Sequence, residues 1–368
     1  MPSPLTMPGP GGQAPSPAAP SPTPPPYGQT STPTSLAVLV DLFAGANGYD
    51  IALVTAAGRV AARAHAQLRS PTADAAELPY AMASDSRVYY LDGDSQIGWL
   101  RADGSTGTGP VLPAGPHVRA TFAVTPDDSR IAVALLDYSV DPVQLTLYVE
   151  DLGGAHHAVI FTSTSRYVWP VAWHAGRLVV AYIGPSGLPF KSKMVNYSSR
   201  DLAFYPYGPS PYGGINFHVI NPLTAEREAI ISGGGASGLL TRAGSAVVQG
   251  QAVDWSGHSL LLISPDSYGS ISASGSVSPD GNQIAACCFQ QSRTGHMVIW
   301  YQGGATKELQ ANGTSTDWAG WFDNTHLIMG FYQRSDGTPT VVEVYAGVTH
   351  PVDAHGIVAG MLPGSLDS

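Results

Sequence analysis

One short turn, repeated, constrains this chain more than any other feature. The stretch Ser274-Gly275-Ser276-Val277-Ser278-Pro279-Asp280-Gly281-Asn282-Gln283-Ile284-Ala285-Ala286-Cys287 aligns with Ala120-Thr121-Phe122-Ala123-Val124-Thr125-Pro126-Asp127-Asp128-Ser129-Arg130-Ile131-Ala132-Val133-Ala134. Each reads as a strand, a tight Pro-Asp turn and an apolar strand. Proline presets φ for the first central position of such a turn, and Asp or Gly accepts the positions that follow. Weaker copies run over 81–90, 171–180, 239–248 and 320–329. Anchored on Val88, Ile131, Val179, Val247, Ile284 and Ile328, the units are spaced by 43, 48, 68, 37 and 44 residues.

Apart from the 68, these intervals match the ~40–45 residues of one four-stranded blade in a repeat array. A third strand follows each anchor, as in 145–149, 297–301 and 340–344. Second strands such as Ile131–Leu136 are apolar without alternation, the pattern of a strand covered on both faces. No helical periodicity longer than three turns stands out. The implied fold is all-β: a β-propeller of seven four-stranded blades, with six as the alternative because the unit at 238–264 is thin.

The first unit supplies only three strands, 37–43, 50–55 and 59–65, and lacks an inner one. The chain end, Gly356-Ile357-Val358-Ala359-Gly360-Met361-Leu362-Pro363-Gly364, has inner-strand texture and no unit of its own. The expectation is that this segment completes blade one and closes the ring, hiding the sheet edges.

Ser278-Pro279-Asp280-Gly281 followed by Ile284-Ala285 resembles the turn of the TolB-type, WD40-like propeller repeats of bacteria, and Thr125-Pro126-Asp127-Asp128 is a near match. The resemblance spans about residues 35–368. It implies a fold and no particular activity.

Residues 1–34 differ in kind. They hold twelve prolines and no Asp, Glu, Lys or Arg. Such a leader is expected to be an extended polyproline tether with no core to bury. It lacks the basic start and apolar stretch of a signal peptide. Pro/Ser/Thr tethers of this kind suggest an extracellular or cell-envelope location, with a cytoplasmic one as the alternative.

Charge narrows the partners. Only 12% of residues are charged and the net charge is −10, with three lysines, Lys191, Lys193 and Lys307. Clustered cations of the kind that nucleic-acid binding requires are missing, and no apolar run approaches the ~18 residues of a membrane span. The remaining partner class is a protein or a glycan.

The 68-residue interval marks an insertion at about 184–214, between the second and third strands of blade four. Its aromatic residues Phe190, Tyr197, Tyr205, Tyr207 and Tyr212, stiffened by prolines, suit a binding loop. In the propeller family, loops from second to third strands share a face with the segments leading into each inner strand. Those segments carry Glu77 and Tyr80, His117 and Arg119, Arg166 and Tyr167, Asp317 and Trp318, and His355. The set suits a polar ligand at the mouth of the central channel, or else a solvated rim with structural ion pairs.

Catalytic signatures are sparse. The chain has no G-x-S-x-G elbow. Glycoside chemistry needs two positioned carboxylates, for which Glu77 with Asp317 is the candidate pair. His156-His157 would sit in a strand with side chains on opposite faces, and Asp92-Gly93-Asp94 lacks the further oxygens of a calcium loop. No cofactor and no metal site is expected. Adjacent Cys287 and Cys288 read as buried thiols in a strand rather than a disulfide framework. The sequence points to a non-catalytic binding or scaffold propeller acting through its loop-bearing face. The alternative is a polysaccharide lyase or glycoside hydrolase at the channel mouth.

Overall fold

A computed structural model describes residues 35–365 except 43, 45–47, 71–80, 184–212, 215, 232–237, 242–243, 248–250, 263–274, 287–296, 304, 310–317 and 331–337. The chain divides into Met1–Pro33 and Thr34–Ser368, and all described residues belong to the second unit. Among the described residues every regular element is a β-strand, and these strands form seven antiparallel sheets.

The first sheet joins the two ends of the unit: β1 (Leu36–Asp41), β2 (Gly48–Val54) and β3 (Val60–Gln67) follow β29 (Ile357–Leu362), which is innermost. The second holds β4 (Ala81–Ala83), β5 (Val88–Asp92), β6 (Gln96–Leu100) and β7 (Thr106–Val111). The third holds β8 (Val118–Val124), β9 (Arg130–Asp137), β10 (Gln144–Asp151) and β11 (Ala158–Ser163). The fourth is β12 (Tyr167–His174), β13 (Arg177–Ile183), β15 (Asn216–Ile220) and β16 (Arg227–Ile230). The fifth has five strands: β14 (Gly213–Gly214), then β17 (Gly238–Thr241), β18 (Gly244–Val247), β19 (Gln251–Val253) and β20 (Ser259–Leu262). The sixth runs β21 (Gly275–Val277), β22 (Gln283–Ala286), β23 (Met297–Tyr301) and β24 (Thr306–Leu309). The seventh runs β25 (Trp318–Trp321), β26 (His326–Gly330), β27 (Thr340–Glu343) and β28 (Val348–Pro351).

Inner strands of successive sheets lie side by side from β29 to β4, β8 and β12, and again from β17 to β21, β25 and back to β29. This is a propeller, and the expected closure is present. β29 pairs with β1 from Leu36↔Leu362 to Val40↔Ile357, with a bulge between Val38 and Leu39. The closing segment then locks onto the second sheet: the Gly364 amide donates to the Ser84 carbonyl at 2.7 Å, and the Ser365 amide to Asp85 Oδ1 at 3.0 Å. At Gly356, φ is +124° and an added Cβ would sit 2.7 Å from the Val40 carbonyl oxygen, so no side chain fits there.

Burial follows position in the blade. In the second strand β9, Ile131 to Ala134 are all 0% exposed because both faces are covered. Toward the rim, β3 alternates, with Ala62, Ala64 and Ala66 buried and Arg63, His65 and Gln67 exposed. That alternation is the signature of a strand with one wet face.

The repeated turn works as its sequence suggests. In one copy Asp128 N–H donates to Thr125 O at 3.0 Å, Asp128 adopts φ +61°, and Ser129 N–H donates to Asp127 Oδ1 at 3.1 Å. In the other, Gly281 N–H donates to Ser278 O at 2.9 Å with φ +73°, and Asn282 N–H donates to Asp280 Oδ1 at 3.0 Å. Each copy also receives a tryptophan from the following blade: Trp173 Nε1 donates to Ala123 O at 3.0 Å, and Trp321 Nε1 to Ser276 O at 2.9 Å. Ala123 and Ser276 occupy the same place relative to the turn, so two of the blade junctions are built on one plan.

Candidate functional site

Four antiparallel strands return the chain to the face on which it entered a blade. The segments leading into the inner strands and the connections between second and third strands therefore share one face. The turns between first and second strands, including both Pro-Asp turns, occupy the other.

On the loop-bearing face the structure separates the candidate residues by burial. Arg119 is 1% exposed. Its Nη1 donates to Asp94 Oδ1 at 2.9 Å and its Nη2 to the Ser70 carbonyl at 2.7 Å. Asp94 also accepts the Ser70 amide at 3.0 Å and the Ser70 hydroxyl at 2.6 Å. Beside it, buried Arg69 donates from Nη2 to Ala120 O at 3.3 Å. This knot ties the segment after β3, the β5–β6 turn and the start of β8, so the first three blades meet at one charge pair whose cation is buried and whose carboxylate is partly exposed. Asp92-Gly93-Asp94 is accordingly a structural turn: Asp92 Oδ1 accepts the Gln67 amide at 2.7 Å, and Gly93 N–H donates to Gln67 O at 3.0 Å. Below it Tyr49 donates to the Leu91 carbonyl. Burial pushes the Tyr49 hydroxyl pKa up, and the neighbouring Arg69 only partly offsets it.

Tyr167 is likewise buried, and its hydroxyl donates to Val143 O at 3.0 Å and to Thr164 O at 2.9 Å. Arg119 and Tyr167 thus fasten blades to each other and present no open side chain to a ligand. His117, Arg166 and His355 are exposed. The His117 carbonyl accepts the Tyr138 amide at 2.8 Å, which fixes its backbone. Trp318 opens β25 opposite Gly330. Glu77, Tyr80, Asp317, Phe190, Tyr197, Tyr205, Tyr207 and Tyr212 lie outside the described residues, as do Cys287 and Cys288.

In blade four, β14 lies in sequence between the second strand, β13, and the third, β15. This strand is unexpected. Gly213 and Gly214 pair with Leu239 and Gly238, adding β14 to the inner edge of the fifth sheet. Blade five therefore has an extra strand on its channel side, donated by blade four. At the base of the insertion, Tyr182 and His218 stack with centroids 5.6 Å apart and planes 7° from parallel. Burial, aided by the nearby Arg227 charge, holds the His218 pKa below the usual histidine value, so this imidazole is neutral at pH 7.

The two histidines expected in a strand lie in the turn before β11 instead, with His156 at φ +54°. A tight hairpin there leaves each its own carboxylate: His156 Nδ1 is 2.6 Å from Asp151 Oδ2, and His157 Nδ1 is 2.8 Å from Glu150 Oε2. Among the described residues, no three His, Cys, Asp or Glu side chains cluster in a way that could hold a metal ion.

The sequence matches no protein-family profile and no curated protein. Many solved structures match the fold. A puromycin-hydrolysing peptidase of Mycobacterium tuberculosis matches at 11% identity and TM-score 0.50, over 86% of this chain and 53% of that one. TolB from Acinetobacter baumannii matches at 10% identity and TM-score 0.39, over 89% of this chain and 65% of that one. The propeller domain of the Trilobed protease from Pyrococcus furiosus matches at 10% identity and TM-score 0.40, over 86% and 84%. The fold is a β-propeller. The chain spans about half the length of the peptidase and two-thirds of that TolB, and at these identities the likeness is one of fold alone.

What sequence reasoning missed was the buried scaffold. The Arg69–Asp94–Arg119 knot on this face and the two tryptophan locks beside the Pro-Asp turns on the other have no local motif. For the tryptophans a signal did exist: each follows a Pro-Asp turn by one blade, at the end of the next inner strand.

Proposed function

We propose that this protein is a binding or scaffold propeller that engages a protein or a glycan on its loop-bearing face, at the channel mouth between blades four and five. The observation that carries this reading is β14. A connection between two strands of one blade is fastened by backbone hydrogen bonds to the inner edge of the next, which brings the root of the insertion to the axis of the ring. Exposed polar residues on the same face, His117 and His355, supply further contacts, while Arg119 and Tyr167 make the scaffold beneath them rigid. Rigid scaffolds with variable loops are the common arrangement for recognition surfaces. The aromatic insertion residues, from Phe190 to Tyr212, provide its apolar part. A location outside the cytoplasm, in the envelope or beyond it, belongs to the same proposal.

The test is capture from envelope and secreted fractions and from a panel of purified polysaccharides, with two baits. One is the intact chain; the other has residues 191–212 replaced by a short Gly-Ser turn, keeping β14. A protein or glycan held by the first and lost by the second supports the reading. Polysaccharide cleavage by the intact chain that disappears in Glu77→Gln and Asp317→Asn would replace it with the enzymatic alternative.

A further inference from the structure

Sheet rims are where propellers meet solvent, and edge strands left unprotected tend to pair with other chains. The outer strands here differ sharply in protection. β3, β16 and β24 carry charged residues, and β7 and β28 carry proline, which cannot donate to a neighbouring strand. β20 has no such residue but is only four residues long. β11, Ala158-Val159-Ile160-Phe161-Thr162-Ser163, has six residues with no charge, proline or glycine, and none of them is fully buried. Val159 is 54% exposed.

We propose that β11 is a strand-addition surface and that its occupant is β11 of a second copy of this chain, paired antiparallel about a two-fold axis. Main-chain groups on the open edge supply the hydrogen bonds of such an augmented sheet, and an isologous pair closes on itself without forming a fibre. Charge at the two ends selects the antiparallel arrangement. One end of β11 adjoins Glu150 and Asp151, and the other adjoins exposed Arg166, which makes no ion pair among the described residues. Antiparallel pairing sets each Arg166 beside the other copy's acidic end, twice per dimer, whereas parallel pairing sets like charges together. The bulge opposite Leu147 and Tyr148 falls at Ile160 and leaves Phe161-Thr162-Ser163 in regular register with β10.

Sedimentation equilibrium of the full chain tests this, read as the approach from 38.3 kDa to twice that mass as concentration rises. Val159→Lys places a charge on an exposed site of the edge and is expected to weaken association at least ~10-fold. Arg166→Glu is expected to weaken it as well, and Arg166→Glu combined with Asp151→Arg to restore it. Circular dichroism of each variant confirms that the fold is intact. A wild-type chain that stays monomeric up to ~0.5 mM overturns the proposal, and so does a dimer that Val159→Lys leaves unchanged. Association weakened by Val159→Lys but unrestored by the charge exchange overturns the antiparallel arrangement.

Discussion

Replacing Trp321 or Trp173 by phenylalanine isolates one interaction that holds neighbouring blades together. Each indole N–H reaches a backbone carbonyl of the preceding inner strand, at 2.9 Å from Ser276 and 3.0 Å from Ala123, in a buried site. Phenylalanine fills most of the volume but removes the donor, leaving a buried carbonyl short of a partner at a cost of about 1–3 kcal/mol. The smaller ring also loses packing, and a third tryptophan corrects for that. Trp169 is 1% exposed, and its Nε1 has no hydrogen-bond partner among the described residues. Trp169→Phe therefore carries the packing loss without the hydrogen-bond loss. Urea denaturation followed by far-UV circular dichroism should show Trp321→Phe and Trp173→Phe to be less stable than Trp169→Phe by about 1–3 kcal/mol. Equal destabilisation of all three would refute the claim that the indole N–H groups lock the blades.

Other outcomes follow from the same contacts. Ending the chain after His355 removes β29 and the Ser84 and Asp85 contacts, uncovers the β1 edge, and should lower the thermal midpoint or abolish cooperative unfolding, since each buried Val, Met or Leu side chain contributes about 1.5–3 kcal/mol. Arg119→Met removes the buried cation from the partly exposed Asp94 carboxylate and should cost about 1.5–3 kcal/mol in denaturant unfolding. The Asp127 carboxyl is held below its ordinary value by hydrogen bonds from Ser129 and Thr125; at Asp323 burial pushes upward, but hydrogen bonds from Thr325 and His326 outweigh it. Both contribute stability that is present above pH 3.8 and lost as pH falls through their depressed values, so Asp127→Asn and Asp323→Asn should flatten the acid limb of a stability–pH curve. His218, also depressed, contributes stability present above pH 6.5 and lost on acidification, and His218→Phe, which keeps a ring against Tyr182, should remove that slope.

Much of the architecture was legible because propeller blades write their period in turn residues. Pro126 and Pro279 fix φ, Asp127 and Asp280 cap the next turn, and the strands beside them are apolar whichever face they show. The closing strand was legible by elimination: blade one lacked an inner strand and the chain end had no blade. β14 was not legible, since two glycines carry no side-chain pattern and their pairing with Leu239 and Gly238 is set by tertiary position alone. The rim was read only in outline. Arg119 and Tyr167 share sequence context with His117 and Arg166, and only the inter-blade packing determines that the first two are buried. Nothing in the residue type of His156 announces its left-handed turn, so the pair reads as part of a strand.

The most direct test of binding on the loop-bearing face uses isothermal titration of the captured protein or glycan into variants of each face. His117→Ala with His355→Ala alters exposed side chains on the proposed face; Leu223→Ala with His258→Ala alters exposed side chains on the opposite one. The proposed face predicts roughly 10-fold or greater weakening from the first pair and no change from the second. Full affinity in the first pair together with loss in the second would contradict it and move the site to the face of the Pro-Asp turns.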